Sequence, residues 1–109
     1  MVKILIVDDH PLVANSLASI IATSKIGEVT GIVGTAKDCL NSLATKDINL
    51  VLLDINLPDG SGIDICKLII SKYPQVKVLS ITSFSESTII RKMLLNGASG
   101  YILKNAMPD

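Results

Sequence analysis

The chain has 109 residues, 49% of them hydrophobic, with ten basic and ten acidic side chains and no net charge. That length and apolar content predict one domain with a substantial core and exclude a disordered chain. The balanced charge argues against nucleic-acid binding by these residues themselves, and no apolar run approaches the ~18 residues of a membrane span. Met1-Val2-Lys3 could open a signal peptide, but Asp8 and Asp9 end its apolar segment far too early.

The run Ile4-Leu5-Ile6-Val7 predicts a first strand over residues 3–7, buried on both faces because it does not alternate. Pro11 suits the first turn of a helix, where its missing N–H costs nothing. Val13, Leu17, Ile20 and Ile21 follow at helical spacing on one face. A second strand is expected over 29–33, between Gly27 and Gly34. Thr35 with Asp38 has the form of a capping box, opening a second helix that presents Leu40 and Leu43. The third strand is 50–53. Ser61 with Asp64 suggests another box, for a helix with Ile65, Leu68 and Ile69 that stops at Pro74. The fourth strand is 76–81. A fourth helix is expected from about Ser85 to the C-cap pair Asn96-Gly97. The consecutive Met93, Leu94 and Leu95 cannot all face inward from it. A short fifth strand covers 100–103.

Strands alternating with helices imply an α/β fold with a doubly wound, five-stranded parallel sheet, for which the flavodoxin-like order 2-1-3-4-5 is one common solution. In that order strands one and three meet at the switch point, and ligands gather at the carboxyl ends of the strands. Asp8 and Asp9 end strand one, and Asp54 ends strand three; Thr82 follows strand four and Lys104 follows strand five. All five then face one crevice. Three carboxylates brought together repel one another and call for a cation, and a carboxylate beside a bound divalent metal can accept a phosphoryl group. Either Asp8 or Asp9 alone would read as a helix cap; the pair together with Asp54 reverses that reading. His10, the one histidine, reads as an N-cap or loop residue before Pro11 rather than a ligand. Cys39 and Cys66 have no metal spacing and read as buried free thiols, which fits a cytoplasmic protein.

Four segments carry a family resemblance: Val7-Asp8-Asp9-His10-Pro11, Leu53-Asp54-Ile55-Asn56-Leu57-Pro58, Ile81-Thr82-Ser83, and Gly97-Ala98-Ser99-Gly100-Tyr101-Ile102-Leu103-Lys104. In this order, each at the right strand end, they resemble the receiver domain of a bacterial two-component response regulator over essentially the whole chain. The Asp-Asp-His-Pro run is similar to the subfamily whose output is a LuxR/NarL-type DNA-binding domain. The resemblance implies that Asp54 is the phosphoacceptor, taking its phosphoryl group from a histidine kinase, with Lys104 and Thr82 (and the Ser83 N–H) contacting the phosphoryl oxygens. It implies Mg²⁺ or Mn²⁺ held by Asp8, Asp9, Asp54 and the backbone carbonyl of Asn56. Thr82 and Tyr101 match the family's coupled switch pair. The activity implied is self-phosphorylation and self-dephosphorylation rather than turnover. DNA would be reached only through a C-terminal domain beyond these residues, and no membrane is involved.

Rival readings fit less well. A haloacid-dehalogenase-type phosphatase also uses a strand-end aspartate and Mg²⁺, but it needs a second acid two residues on, where this chain has Asn56. An FMN binder wants a Ser/Thr/Gly-rich phosphate loop after strand one, where this chain has acids. A phosphorylation-independent pseudo-receiver is disfavoured by the intact set of Asp9, Asp54, Thr82 and Lys104. Asn105 follows Lys104 where many receivers have a proline, so a trans peptide is expected there. Only Asn105-Ala106-Met107-Pro108-Asp109 remain after that lysine. The expectation is therefore a receiver domain over residues 1–109, truncated before the fifth helix, with apolar surface uncovered and self-association into a dimer.

Overall fold

The apolar runs that do not alternate become the centre of the sheet. β1 (Val2–Val7) and β3 (Leu50–Asp54) lie side by side, and residues 4–7 of β1 are fully enclosed. The structure, a computed structural model, describes residues 1–83 and 87–104. β2 (Gly27–Val33) flanks β1, while β6 (Lys77–Thr82) and then β7 (Gly100–Leu103) extend the sheet beyond β3. The order is β2-β1-β3-β6-β7 with every neighbouring pair parallel. Counting the five long strands alone, this is the expected order. A small antiparallel hairpin, β4 (Asn56–Leu57) with β5 (Gly60–Ser61), lies directly after β3 and was not foreseen.

Helices cover both faces. α1 (Pro11–Ser24) buries Ala14, Leu17 and Ile21 against Ile4, Ile6, Leu52 and Ile81. On the other face α2 (Ala36–Thr45), α3 (Gly62–Lys72) and α4 (Ser87–Leu95) pack on Leu5, Val7, Val51, Leu53 and Val78. Alternate residues of each central strand thus feed two separate cores, as period-two geometry requires. Two residues expected to face inward do not. Ile20 is 40% exposed and Leu68 is 44% exposed. In α1 the small Ala14 sets the inner face, and in α3 Gly62, Cys66 and Ile69 do, so Leu68 lies about 100° round the helix from Ile69. Met93, Leu94 and Leu95 behave as expected, with Met93 enclosed and the two leucines exposed. Cys39 and Cys66 are buried free thiols, and burial pushes their pKa values up to about 12 and about 11, which keeps them unreactive.

The caps are mostly as read. Thr35 accepts from the Asp38 N–H at 3.1 Å. Ser61 caps α3, but through the Ile63 N–H at 3.2 Å rather than the Asp64 N–H, because it closes a tighter turn leaving the hairpin. α4 ends in a Schellman motif: Ala98 N–H donates to the Met93 carbonyl, Gly97 N–H donates to the Leu94 carbonyl, and Gly97 has φ +104°. The expected helix start near Ser85, the Lys104–Asn105 peptide and everything after it lie outside the described residues.

Asp59, at the tip of the hairpin, binds a second helix. Its carboxylate accepts from the backbone N–H groups of Ala36 at 2.7 Å and Lys37 at 3.0 Å, at the start of α2. Those donors, unpaired within the helix and at its positive end, hold the Asp59 carboxyl below its usual range. A carboxyl with a depressed folded pKa stabilises above its unfolded pKa and loses that contribution as pH falls through the folded value. Asp59→Ala is therefore expected to lower the urea midpoint at pH 7, with the gap from wild type narrowing below about pH 4. Paired urea titrations across that range check it, and a pH-independent gap would refute it.

Candidate functional site

Register alone brings the first two acids together. Val7 of β1 pairs with Leu53 of β3, so the next residue of each strand, Asp8 and Asp54, leaves the same edge of the sheet. Asp8 is still tied to the sheet, its N–H donating to the Val33 carbonyl at 2.9 Å. Asp8 is 3% exposed and Asp54 2%. The Asp9 side chain turns outward and is 39% exposed. β7 ends just before Lys104, whose ammonium reaches back to 3.2 Å from Asp54 Oδ2 and 3.3 Å from Asp8 Oδ2. The Asn56 N–H donates to Asp54 Oδ1 at 3.2 Å, so the hairpin orients the carboxylate from the other side. Asp9, His10, Asp54, Asn56 and Lys104 line a cleft of about 350 Å³, together with Leu57, Pro58 and Ser83.

The electrostatics are unbalanced towards negative charge. Burial pushes the Asp54 carboxyl above its usual range, and the neighbouring Asp8 adds to this; the charge and hydrogen bond of Lys104 and the Asn56 N–H oppose it without cancelling it. Asp8 Oδ2 is buried and makes no hydrogen bond, although Lys104 stands near it. A buried carboxylate oxygen with no donor is costly unless a cation faces it. Asp8, Asp9, His10 and Asp54 each offer a ligand atom, and these atoms lie within 4.8 Å of one another. Carboxylate oxygens converging in this way fit a hard divalent cation such as Mg²⁺ or Mn²⁺.

Of the residues singled out from sequence, Asp8, Asp9, Asp54, Asn56 and Lys104 meet at this one place. Thr82 ends β6 and is 1% exposed; Ser83, not Thr82, lines the cleft. Tyr101 lies in β7 at the sheet edge, 46% exposed, paired in register with Ser80, two residues before Thr82. The sequence reading of His10 caught half of its place. It is the N-cap of α1, yet its side chain makes no cap bond. Its N–H donates to Asp8 Oδ1 at 2.8 Å, and ring Nδ1 lies 2.8 Å from that same oxygen, inside the acid cluster. Pro11 holds the His10 backbone in the extended region, and the direct adjacency to Asp8-Asp9 was the signal available for its ring.

Gly62 was also missed. Its N–H donates to the Ile55 carbonyl at 2.6 Å, and a Cβ there would collide with the Asp54 carbonyl oxygen and lie 2.7 Å from Ile55 Cα. The start of α3 is thus pressed against the backbone that carries Asp54.

With that geometry in view, the chain matches the family described as response regulator receiver domain over residues 4–109. It is 36% identical to the transcriptional regulatory protein LnrK of Bacillus subtilis over all of this chain and 50% of LnrK. It is 31% identical to the transcriptional activator DevR/DosR of Mycobacterium tuberculosis, over 96% of this chain and 48% of that protein. A LuxR-family two-component response regulator from Aurantimonas superposes with a TM-score of 0.86 at 26% identity, covering 94% of this chain and 73% of that one. The chain belongs to the response regulator receiver family, and its relatives are transcriptional regulators that include the LuxR type. It spans about half the length of the curated relatives it matches. No helix among the described residues is long and apolar enough to cross a membrane.

Because Gly62 has backbone rather than flexible side chain against it, Gly62→Ala is expected to cost about 1–3 kcal/mol, the usual range for overpacking. Equilibrium urea denaturation measures it. An unchanged midpoint would show that the backbone at Asp54 yields freely.

Proposed function

We propose that Asp54 is a phosphoacceptor, taking a phosphoryl group from a phosphohistidine on a partner kinase, or from a small acyl-phosphate-like donor, and that the charge change switches an attached transcription-regulating domain. The observation that supports it most is the position of Asp54: a buried carboxylate with Lys104 Nζ at 3.2 Å, in a cluster with two further acids. Family membership supports the same reading.

In the transfer, an Asp54 carboxylate oxygen forms the new P–O bond as the P–N bond to the donor imidazole breaks, and the imidazole keeps the electron pair and is protonated. Phosphoryl transfer asks little covalent work of a protein, so positioning and charge neutralisation dominate. Asp8, Asp9, Asp54 and the Asn56 carbonyl would hold Mg²⁺ or Mn²⁺, which when bound neutralises charge on the phosphoryl oxygens. The Asn56 N–H orients Asp54. Lys104 pairs with a phosphoryl oxygen as a point charge, and the Thr82 hydroxyl and Ser83 N–H donate to another. The chain is its own substrate, so its chemistry is self-phosphorylation and self-dephosphorylation rather than turnover.

Thr82 and Tyr101 form the readout. The Thr82 hydroxyl is drawn to the phosphoryl group, and the half-exposed Tyr101 ring turns inward beside it, shifting a two-state equilibrium by the difference in contacts between the states. That the relatives are named as transcriptional regulators supports an output in transcription. We accordingly place the chain in the cytoplasm, dimerising on phosphorylation, with DNA contacted by a C-terminal domain outside these residues.

Mass spectrometry after incubation with a small phosphodonor tests the site. A single acid-labile phosphoryl adduct is expected, lost in Asp54→Ala and suppressed by excess EDTA; labelling that survives both would refute the assignment. For the readout, phosphorylated Thr82→Ala is expected to dimerise more weakly than phosphorylated wild type in sedimentation equilibrium. Equal association would remove Thr82 from the switch.

A further inference from the structure

We infer that His10 is a nitrogen ligand of the cation site, so that this site takes a first-row transition ion such as Mn²⁺, Fe²⁺ or Co²⁺ through three carboxylates and one imidazole. The inference rests on the receiver reading and adds to it a donor that the family assignment does not supply.

Spacing is the first argument. His10 Nδ1 lies 2.8 Å from Asp8 Oδ1, 3.3 Å from Asp9 Oδ1 and 3.5 Å from Asp54 Oδ2. Adjacent ligand atoms of an octahedral ion with bonds of about 2.1 Å are roughly 3.0 Å apart, and opposite ones about 4.2 Å. The three distances from His10 Nδ1, 2.8–3.5 Å, bracket the adjacent-ligand spacing, while the widest spread of the four atoms, within 4.8 Å, requires a small inward adjustment on binding.

Hydrogen-bond bookkeeping is the second. Nδ1 is 2.8 Å from the Asp8 carboxylate, an acceptor only, and 3.0 Å from the Lys104 ammonium, a donor only. One ring nitrogen cannot donate to the first and accept from the second at once. A divalent cation among the acids satisfies the carboxylates and the imidazole lone pair together. The third is the Asp8 side chain, fully buried, whose Oδ2 has no hydrogen bond. Its ion-pair partner is Lys104 at 3.3 Å, shared with Asp54 at 3.2 Å, so one ammonium faces two buried carboxylates.

The consequence is selectivity. Oxygen-only sites suit Mg²⁺ and Mn²⁺ alike, whereas an imidazole favours the transition ions. The His10 side chain is 56% exposed, so it can adjust to an ion without disturbing the core.

His10 is the one histidine in the chain, which makes the test specific. Protein with ¹⁵N-labelled histidine and its unlabelled counterpart are each loaded with Mn²⁺ and studied by pulsed electron paramagnetic resonance. Directly coordinated nitrogen is expected, of ¹⁴N type in one sample and ¹⁵N type in the other, and absent in His10→Ala. In parallel, Mn²⁺ and Mg²⁺ dissociation constants are measured by equilibrium dialysis. The preference for Mn²⁺ over Mg²⁺ is expected to fall in His10→Ala by about tenfold, taking as a floor the loss in metal affinity seen when the groups hydrogen-bonded to a metal's ligands are removed. Mn²⁺ bound without nitrogen coupling, and with the preference unchanged in His10→Ala, overturns the inference and leaves the receiver reading intact. If wild type binds neither ion while Asp54 still fails to take phosphate, both fall together.

Discussion

Everything at the site depends on two carboxylates being buried at the ends of adjacent parallel strands. Asp8 and Asp54 are each nearly fully buried at the rim of the core, and their mutual repulsion cannot be relieved by moving apart, because Val7 and Leu53 are locked in register behind them. Relief has to come from positive charge delivered into the cleft. Lys104 supplies part of it from the far end of the chain. Burial first, and Asp8 beside it, keep the Asp54 carboxyl above its usual range despite Lys104. A site that is electrostatically incomplete in this manner is suited to a divalent cation.

The segment after β3 keeps that tension in place. It makes a hairpin rather than running directly into α3, and each residue that anchors the hairpin anchors Asp54 as well. Asn56 hydrogen-bonds the Asp54 carboxylate, Asp59 caps α2, and Gly62 lets α3 begin against the Asp54 carbonyl. None of these contacts is part of the sheet. They convert a strand end, which would otherwise fray, into a fixed platform with its side chain aimed at Asp8. The aspartate at the hairpin tip also ties the platform to the start of α2, so the local geometry is shared between elements that the sheet hydrogen bonds do not connect.

Much of this was legible in the sequence because it follows from period and position. Ile4 to Val7 and Leu50 to Leu53 do not alternate, and that feature alone places them at the centre of a parallel sheet with acids at their ends. Gly97 predicted the end of α4 because a positive φ is needed there. What was not legible depends on three-dimensional accidents of phase and reach. Ile20 and Leu68 are apolar at plausible helical spacing, and only the positions of Ala14 and Cys66 decide that they lie off the buried face. The hairpin strands are two residues each, too short to leave a periodic signal. His10 looked like a cap because its backbone is one; the direction of its ring is set by what Asp8 offers it, which no spacing rule expresses.

The site is held unequally by its two sides. The acids stand on β1 and β3, each with a paired strand on either side and cores above and below. Lys104 follows β7, a strand of four residues at the sheet edge, bonded to β6 alone and without a fully buried residue. Contacts of that kind open at far lower free energy than the centre of a sheet. The carboxylates therefore stand on the more firmly held side of the site, and Lys104 on the less firmly held one. Tyr101 sits in that same strand, half exposed, three residues from the lysine. Under the proposed phosphorylation of Asp54, β7 is therefore the edge on which a change at the buried acids would meet a large, half-exposed side chain.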